Sequence, residues 1–203
     1  QAIADNRPYT SMEDVVRKVP QLHVAQLEAL ATAGVFNESF GQQRRDALWS
    51  AGAVIQSRPG TLDGVTTGVE SPHLPGMQPM EEAIADLWAT GVSTSGHPTE
   101  FLRIELERMG VATAMQLPQR GARGDEKVLV AGTVTHRQRP MTAQGITFIN
   151  LEDETGHINV VCSVGCWARY RKVARGAGAL LVRGRLEVGD GGVINVVAEH
   201  IAP

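Results

Sequence analysis

The spacing of apolar residues changes once along this chain, near residue 128. Upstream they recur every three or four positions, the stripe of a half-buried helix; downstream they alternate, as in a strand with one buried face. The clearest alternating stretch is 148–161. Ile149 and Leu151 alternate with Phe148 and Asn150, and Ile158 and Val160 alternate with His157, Asn159 and Val161. Between them, Asp153-Glu154-Thr155-Gly156 offers side-chain-to-backbone hydrogen bonds and a glycine free to take positive φ, which predicts a tight turn.

In the upstream part, Thr10 or Ser11 caps a short helix that ends near Val19 before Pro20, with Glu13 and Asp14 at the positive end of its dipole. A second helix is predicted over about 23–33, with Val24, Leu27, Leu30 and Ala31 on one stripe and Gly34 closing it. A third, over about 42–53, has Ala47, Leu48 and Trp49 as apolar contacts. Three short helices with tight connections suggest a helix-hairpin-helix-like module over residues 1–56. Such a unit aims hairpin N–H groups at a DNA phosphate. Here the hairpin Val19-Pro20-Gln21-Leu22 has no glycine and Pro20 has no N–H, so packing is the expected role. Arg17, Lys18, Arg44 and Arg45 are candidate backbone contacts, although short basic clusters are usually solvated faces.

Glycine and proline crowd residues 57–80, which predicts a linker or long exposed loop. Residues 81–127 form a helical connector. One helix runs to about Thr90 with Ile84, Leu87 and Trp88 on its apolar side; Thr99 caps another over about 100–109, ended by Gly110. Phe101, Leu102, Ile104 and Leu106 cover too wide a face for a free helix, so this one is expected to pack on something. Residues 118–127 read as a second, charged linker. His97, between Gly96 and Pro98, has no second histidine or cysteine at metal-ligand spacing and reads as a turn or packing residue.

Residues 128–203 hold five predicted strands, over about 128–136, 145–152, 157–162, 179–188 and 193–200, with a short helix over 165–173. In the fourth, Leu180, Val182, Leu186 and Val188 point inward and Arg183, Arg185 and Glu187 outward; in the fifth, Ile194, Val196 and Ala198 face the core. Five strands with a helix between the third and fourth are the order of an OB-fold. The expected fold class is therefore α+β multidomain: an N-terminal helical module, a helical middle segment and a C-terminal five-stranded OB-fold β-barrel.

Composition narrows the chemistry. The 203 residues carry a formal charge of −3, unevenly spread: residues 1–60 have 6 basic and 6 acidic groups, residues 61–127 have 5 and 10, and residues 128–203 have 8 and 6. A mildly basic barrel is compatible with nucleic acid but does not demand it. Two cysteines, Cys162 and Cys166, make neither a disulfide framework nor a full zinc site, and small apolar packing is their expected role. No apolar run approaches the roughly 20 residues of a membrane span. The start at Gln1, with neither an initiator Met nor a signal-peptide pattern, leads us to expect a piece of a longer cytoplasmic protein. No catalytic set, cofactor loop or metal cluster is apparent.

The groove of an OB barrel lies over strands two and three, beside the loops joining strands one to two and four to five. The candidate nucleic-acid-binding residues there are Arg137, Arg139, Phe148, Asn150, Asn159, Arg183 and Arg185, with His157 on the same side. An exposed aromatic with guanidinium and amide neighbours suits single-stranded nucleic acid. The alternative is that Phe148 belongs to the core and the arginines to a solvated edge. Glu152, Asp153 and Glu154 would repel a phosphate.

A family resemblance follows from particular runs. Leu27-Glu28-Ala29-Leu30-Ala31-Thr32-Ala33-Gly34-Val35-Phe36 with Gly41-Gln42-Gln43-Arg44-Arg45, then Gly96-His97-Pro98 and the barrel, resembles the C-terminal region of bacterial DNA polymerase III α subunits. Asp86-Leu87-Trp88-Ala89-Thr90-Gly91-Val92, His97-Pro98-Thr99-Glu100-Phe101-Leu102-Arg103 and the run 145–156 are similar to its error-prone paralogue of damage-induced translesion synthesis. The resemblance implies that the polymerase aspartates lie in a palm domain upstream of every residue here, so this chain alone is not expected to polymerise. Met115-Gln116-Leu117-Pro118 lacks the aromatic or leucine pair of a clamp-binding peptide, so the sliding clamp would be reached only through a partner. The resemblance points to the catalytically inactive polymerase-like protein of the mutasome as that partner. Two readings stay open: a barrel that holds single-stranded template weakly, and a pure protein-docking module. A third, the anticodon-binding domain of an aminoacyl-tRNA synthetase, shares the phenylalanine-to-acidic-turn pattern, but the preceding helices do not fit it.

Overall fold

Two separate hydrophobic cores form, one within Gln1–Ser95 and one within Gly96–Pro203, in a computed structural model that describes residues 1–62, 68–121 and 127–203. The division at 95/96 falls inside the expected connector 81–127. Its first helix and the residues up to Ser95 belong to the helical unit, and those from Gly96 to the barrel unit.

The helical unit contains α1 (Ala2–Asp5), α2 (Met12–Lys18), α3 (Val24–Thr32), α4 (Val35–Phe40), α5 (Arg44–Val54) and α6 (Pro79–Thr90). Ser11 caps α2, accepting a hydrogen bond from the Asp14 N–H at 3.1 Å. The core joins Val15 and Val16 of α2, Leu27 and Ala31 of α3, Phe36 of α4, and Ala47, Ala51 and Val54 of α5. Gly34 links α3 to α4 with φ 76°, and a Cβ there would lie 2.7 Å from the Arg44 guanidinium, so both backbone and space call for glycine. Arg44 in turn donates to Asp86 Oδ1 at 2.7 Å and to the Glu82 carbonyl at 3.3 Å, fastening α6.

Several expected contacts are corrected here. Residues 35–40 are helical, which the sequence did not suggest. Leu48 and Trp49 are exposed, because the buried stripe of α5 is Ala47, Ser50, Ala51 and Val54, at the three- and four-residue spacing of one face. On α6, Ile84 and Trp88 face solvent while Ala83 and Asp86 are buried; the Arg44–Asp86 pair decides which side turns in. The expected linker is partly held down as well: Arg45 donates to the Pro75 carbonyl at 2.9 Å, and Ser71 to Asp46 at 2.8 Å.

The barrel unit runs α7 (Pro98–Phe101), α8 (Arg103–Arg108), β1 (Val111–Ala112), α9 (Leu117–Gly121), β2 (Lys127–Gln138), β3 (Thr147–Asp153), β4 (Gly156–Cys162), α10 (Val164–Gly176), β5 (Ala179–Val188) and β6 (Ile194–Ala202). The strand order is β1-β2-β3-β4-β6-β5, and β5 returns to pair with β2. β2 to β6 thus close the expected five-stranded barrel, and β1 adds a two-residue parallel edge to β2. Val130, Ile149, Leu151, Ile158, Val160, Leu180, Val182 and Val196 fill it, and α10 packs Trp167, Tyr170, Val173 and Ala174 against them. Gly184 marks a bulge where β5 meets β6, and a Cβ there would overlap the Val197 carbonyl. Both cysteines are free thiols. Cys162 lies in the core, where burial pushes its thiol up to about 12, and Cys166 packs beside it.

Three further expectations fail in this unit. The predicted helix over 100–109 is broken at Leu102, and Phe101, Leu102 and Ile104 are exposed, because Thr99 and Arg103 are the side chains that turn inward. The charged linker begins instead with α9, and its residues 122–126 lie outside those described. Val188, at the last β5–β6 pair, is 56% exposed and not core.

Candidate nucleic-acid interface

The outer face of β3 and β4 is built by strand parity. Because Ile149, Leu151, Ile158 and Val160 point inward, the residues between them point out. The register sets Phe148 opposite Val161, Asn150 opposite Asn159, and Glu152 opposite His157. β6 continues the same face beside β4, with Asn195 next to Asn159 and Val197 next to Val161. On the other side, β2 places His136 opposite Asn150 and Gln138 opposite Phe148.

Two rows result. One is apolar: Phe148, Val161 and Val197. The other is a line of three carboxamides, Asn150, Asn159 and Asn195, none with a side-chain hydrogen bond among the described residues. Each carboxamide keeps two donors and an acceptor for a ligand. Phe148 is 36% exposed, so it stands on this face and not in the core. Asn195 and Val197 were not among the expected site residues. The alternation that put Ile194, Val196 and Ala198 inward already implied them, but their adjacency to β4 is a matter of topology.

The candidate arginines separate. Arg139, just beyond β2, lies beside Gly145 and the start of α10: a Cβ on Gly145 would be 3.4 Å from its guanidinium and 3.1 Å from Val164. It stands at the Phe148 end of the face. Arg137 does not join it. A bulge between Val134 and His136 shifts the parity of β2, so Arg137 sits opposite inward-facing Ile149 and donates to the Ala174 carbonyl at 2.7 Å and to that of Ala177. It caps the C-terminus of α10, and burial holds its pKa below the ordinary value. Arg183 and Arg185 point outward as expected, but β5 lies between β2 and β6, away from β3 and β4, and only Arg185, opposite Val197, borders the β6 edge of the face. Arg185 also pairs with Glu199 at 3.3 Å.

At the other end of the face lies the acidic turn, and here the two sequence runs around His97 and Glu154 meet. Asp153, buried, accepts hydrogen bonds from Thr155 N and Gly156 N at 2.8 and 3.0 Å and from Ala114 N at 2.7 Å. Glu154 accepts from Arg103 at 2.5 and 2.8 Å and from the Thr99 hydroxyl at 2.5 Å. The His97 ring bridges the Thr99 and Thr133 hydroxyls at 2.6 and 3.1 Å. Burial pushes the Glu154 carboxyl up, but the Arg103 and Thr99 hydrogen bonds outweigh it and bring its pKa to about 2. Burial holds the His97 pKa below its usual value, against the pull of Glu152, Glu154 and Asp153. These carboxylates are therefore anchors for α7 and α8, and Glu152 remains on the outer face. From Glu152 to Phe148 is four residues of strand, about 13 Å, running from acidic to neutral to basic Arg139.

A protein-family profile described as an OB-fold nucleic acid binding domain matches residues 128–203, and one described as a helix-hairpin-helix motif matches residues 1–47. The chain is 54% identical over 197 residues to an error-prone DNA polymerase of Mycobacterium bovis, covering 97% of this chain and 18% of the relative. It is 51% identical to that of Nocardia farcinica, covering 98% and 18%, and 43% identical to that of Corynebacterium glutamicum, covering 100% and 19%. The chain thus spans less than one fifth of the length of the curated relatives it matches. Among solved structures, an asparaginyl-tRNA synthetase from Pyrococcus horikoshii aligns with 45% of this chain and 21% of its own at 20% identity and a TM-score of 0.38.

Proposed function

We propose that this chain, which belongs to the error-prone DNA polymerases as a segment of their length, is a non-catalytic part that holds single-stranded template on the outer face of β3 and β4. The observation that carries this reading is the pairing of an exposed aromatic, Phe148, with the carboxamide row Asn150, Asn159 and Asn195, whose side chains make no hydrogen bond among the described residues. A base stacked on Phe148 leaves its edge near amides that donate and accept without demanding one sequence. In this reading the nucleotidyl transfer of translesion synthesis belongs to the rest of the polymerase, in the cytoplasm, and this segment steadies the strand being copied.

One stacked base contributes about 1–3 kcal/mol, roughly 5- to 150-fold in affinity. Anisotropy of labelled oligo-dT at low salt, with Phe148→Ala and Asn159→Ala variants, tests it. The expected result is a loss in that range with unchanged thermal stability. A chain that does not bind at low salt, or variants that bind as the parent does, would refute it.

A second reading rests on a different surface. Phe101, Leu102, Ile104 and Met109 are exposed around α7 and α8, an apolar patch suited to a protein partner. Docking of the catalytically inactive polymerase-like protein of the mutasome, and through it indirect access to the sliding clamp, would use this patch. Phe101→Ser with Ile104→Ser should then abolish co-purification with that protein and leave oligo-dT binding intact; retained co-purification would reject the reading.

A further inference from the structure

α10 carries four cations and no carboxylate. Residues 164–176 read Val-Gly-Cys-Trp-Ala-Arg-Tyr-Arg-Lys-Val-Ala-Arg-Gly, without a single Asp or Glu. At 100° per residue, Trp167, Tyr170, Val173 and Ala174 share the side packed on the barrel. Arg169, Arg171, Lys172 and Arg175 occupy the opposite side, all exposed. None of the four forms an ion pair among the described residues. Among the described carboxylates of this unit, Glu154 is engaged by Arg103, and Glu199 by Arg185 and Lys127.

The position of this helix matters as much as its charge. β4 leaves the outer face at Val161, and Ser163, two residues later, caps α10. Arg139 stands at that junction, beside Gly145 and close to Val164. The cationic side therefore starts from the Phe148 end of the face, opposite the end closed by the acidic turn. From Arg169 to Arg175 the helix advances about 9 Å. A nucleic acid strand carries a charge every 3.4 Å or so of its axis, so two or three phosphates match that span.

We propose that the solvent side of α10, through Arg169, Arg171, Lys172 and Arg175, is a second contact for the same nucleic acid, taking the phosphate backbone where it leaves the Phe148 end of the face. This rests on the β3–β4 reading above for its path, and on the helix alone for its charge. An acidic protein or an anionic lipid surface would also be drawn to four cations. The continuity with the carboxamide face favours the nucleic acid.

The test is anisotropy with the 203-residue chain, using oligo-dT of about 6 and about 16 nucleotides, within the range of OB-fold site sizes, over about 50–200 mM salt. Replacing all four cations by Gln should weaken the long oligonucleotide at least tenfold at low salt and flatten its log affinity–log salt slope by about 1.5–2, while the short one binds as before. Arg171→Gln with Arg175→Gln should give about half that change in slope, which separates a local charge effect from unfolding. Phe148→Ala with Asn159→Ala should weaken both lengths and leave the slope unchanged. If the face variant binds normally while the four-Gln variant loses the long oligonucleotide, the face reading fails and the α10 contact stands. Long-oligonucleotide affinity and slope unchanged in the four-Gln variant would overturn the α10 contact. So would a parent chain that binds phosphatidylserine vesicles but no oligonucleotide.

Discussion

The basic clusters of the helical unit and the cations of α10 in the barrel unit are treated in opposite ways. Arg17, Lys18, Arg44 and Arg45 each close on a carboxylate of their own unit, Glu13 at 3.5 Å, Asp14 at 2.9 Å, Asp86 at 2.7 Å and Glu81 at 2.9 Å. Arg169, Arg171, Lys172 and Arg175 on α10 have no such partner among the described residues. The net charges of residues 1–60 and 128–203 differ by only two, but the field offered to a polyanion depends on which charges are already paired. A helix-hairpin-helix motif suggests a DNA grip in the first unit; the pairing suggests that its basic groups chiefly hold the unit together.

The largest effect should come from the core that supports the candidate face. Leu151 is fully buried under β3, and Leu151→Ala should destabilise the barrel by about 2–5 kcal/mol. Trp49 and Trp88 are 57% and 78% exposed, so replacing both with Phe leaves half-buried Trp167 as a reporter of barrel unfolding in denaturant. A midpoint unchanged by Leu151→Ala would mean that the strand parity assigned to β3 is wrong, and the face with it.

Next in size is the acidic end of that face. Arg103→Gln removes charged hydrogen bonds to Glu154, at about 1.5–3 kcal/mol near neutral pH. The sign with pH follows from the lowered Glu154 value: its contribution is present above the ordinary 4.5 and is lost as pH falls through about 2. His97 acts in the same direction, since its lowered pKa lets the unfolded chain take up a proton first as pH drops below 6.5. Denaturant melts at neutral and acid pH should show the gap between parent and Arg103→Gln shrinking toward pH 2. A gap of constant size would show that Arg103 acts through packing and not through charge.

A comparable but functionally silent loss is expected in the other unit. Arg44→Gln leaves Asp86, whose side chain is 9% exposed, without its cation, and should cost about 1.5–3 kcal/mol in thermal or chemical melts. The salt slope of oligonucleotide binding should not change, because that guanidinium is already engaged. A flatter slope would place Arg44 in the DNA contact and undo the contrast between the units.

Much of this arrangement was legible in the sequence. Alternation placed β3, β4, β5 and β6 close to their observed bounds, and parity put Phe148, Asn150 and Asn159 outward. What escaped were features set by contacts distant in sequence. Trp49, Trp88 and Ile104 read as core because large apolar side chains usually are, yet small Ala47, Ala51 and Ala83 allow closer helix approach and leave the large ones outside. Arg137 read as a groove residue because a bulge in β2 cannot be seen in a run of alternating residues. The basic side of α10 was visible in composition, but its significance depends on the carboxylates that neighbouring strands fail to present.

The smallest expected effect concerns Arg183 and Arg185. β5 is separated from β3 and β4 by β2 on one side and β6 on the other, and Arg185 already meets Glu199 in an exposed pair. Such pairs contribute about 0–1 kcal/mol, so Arg183→Gln with Arg185→Gln should shift stability by no more than that. Binding of a short oligonucleotide should be unchanged, since Phe148, Asn150 and Asn159 stand on β3 and β4, which β5 does not touch. With a long oligonucleotide the comparison sharpens: a strand leaving the face along α10 stays clear of β5, whereas one that wraps the barrel crosses it. A lower salt slope for the β5 double variant would therefore favour wrapping and make the cations of β5 equal partners of those on α10.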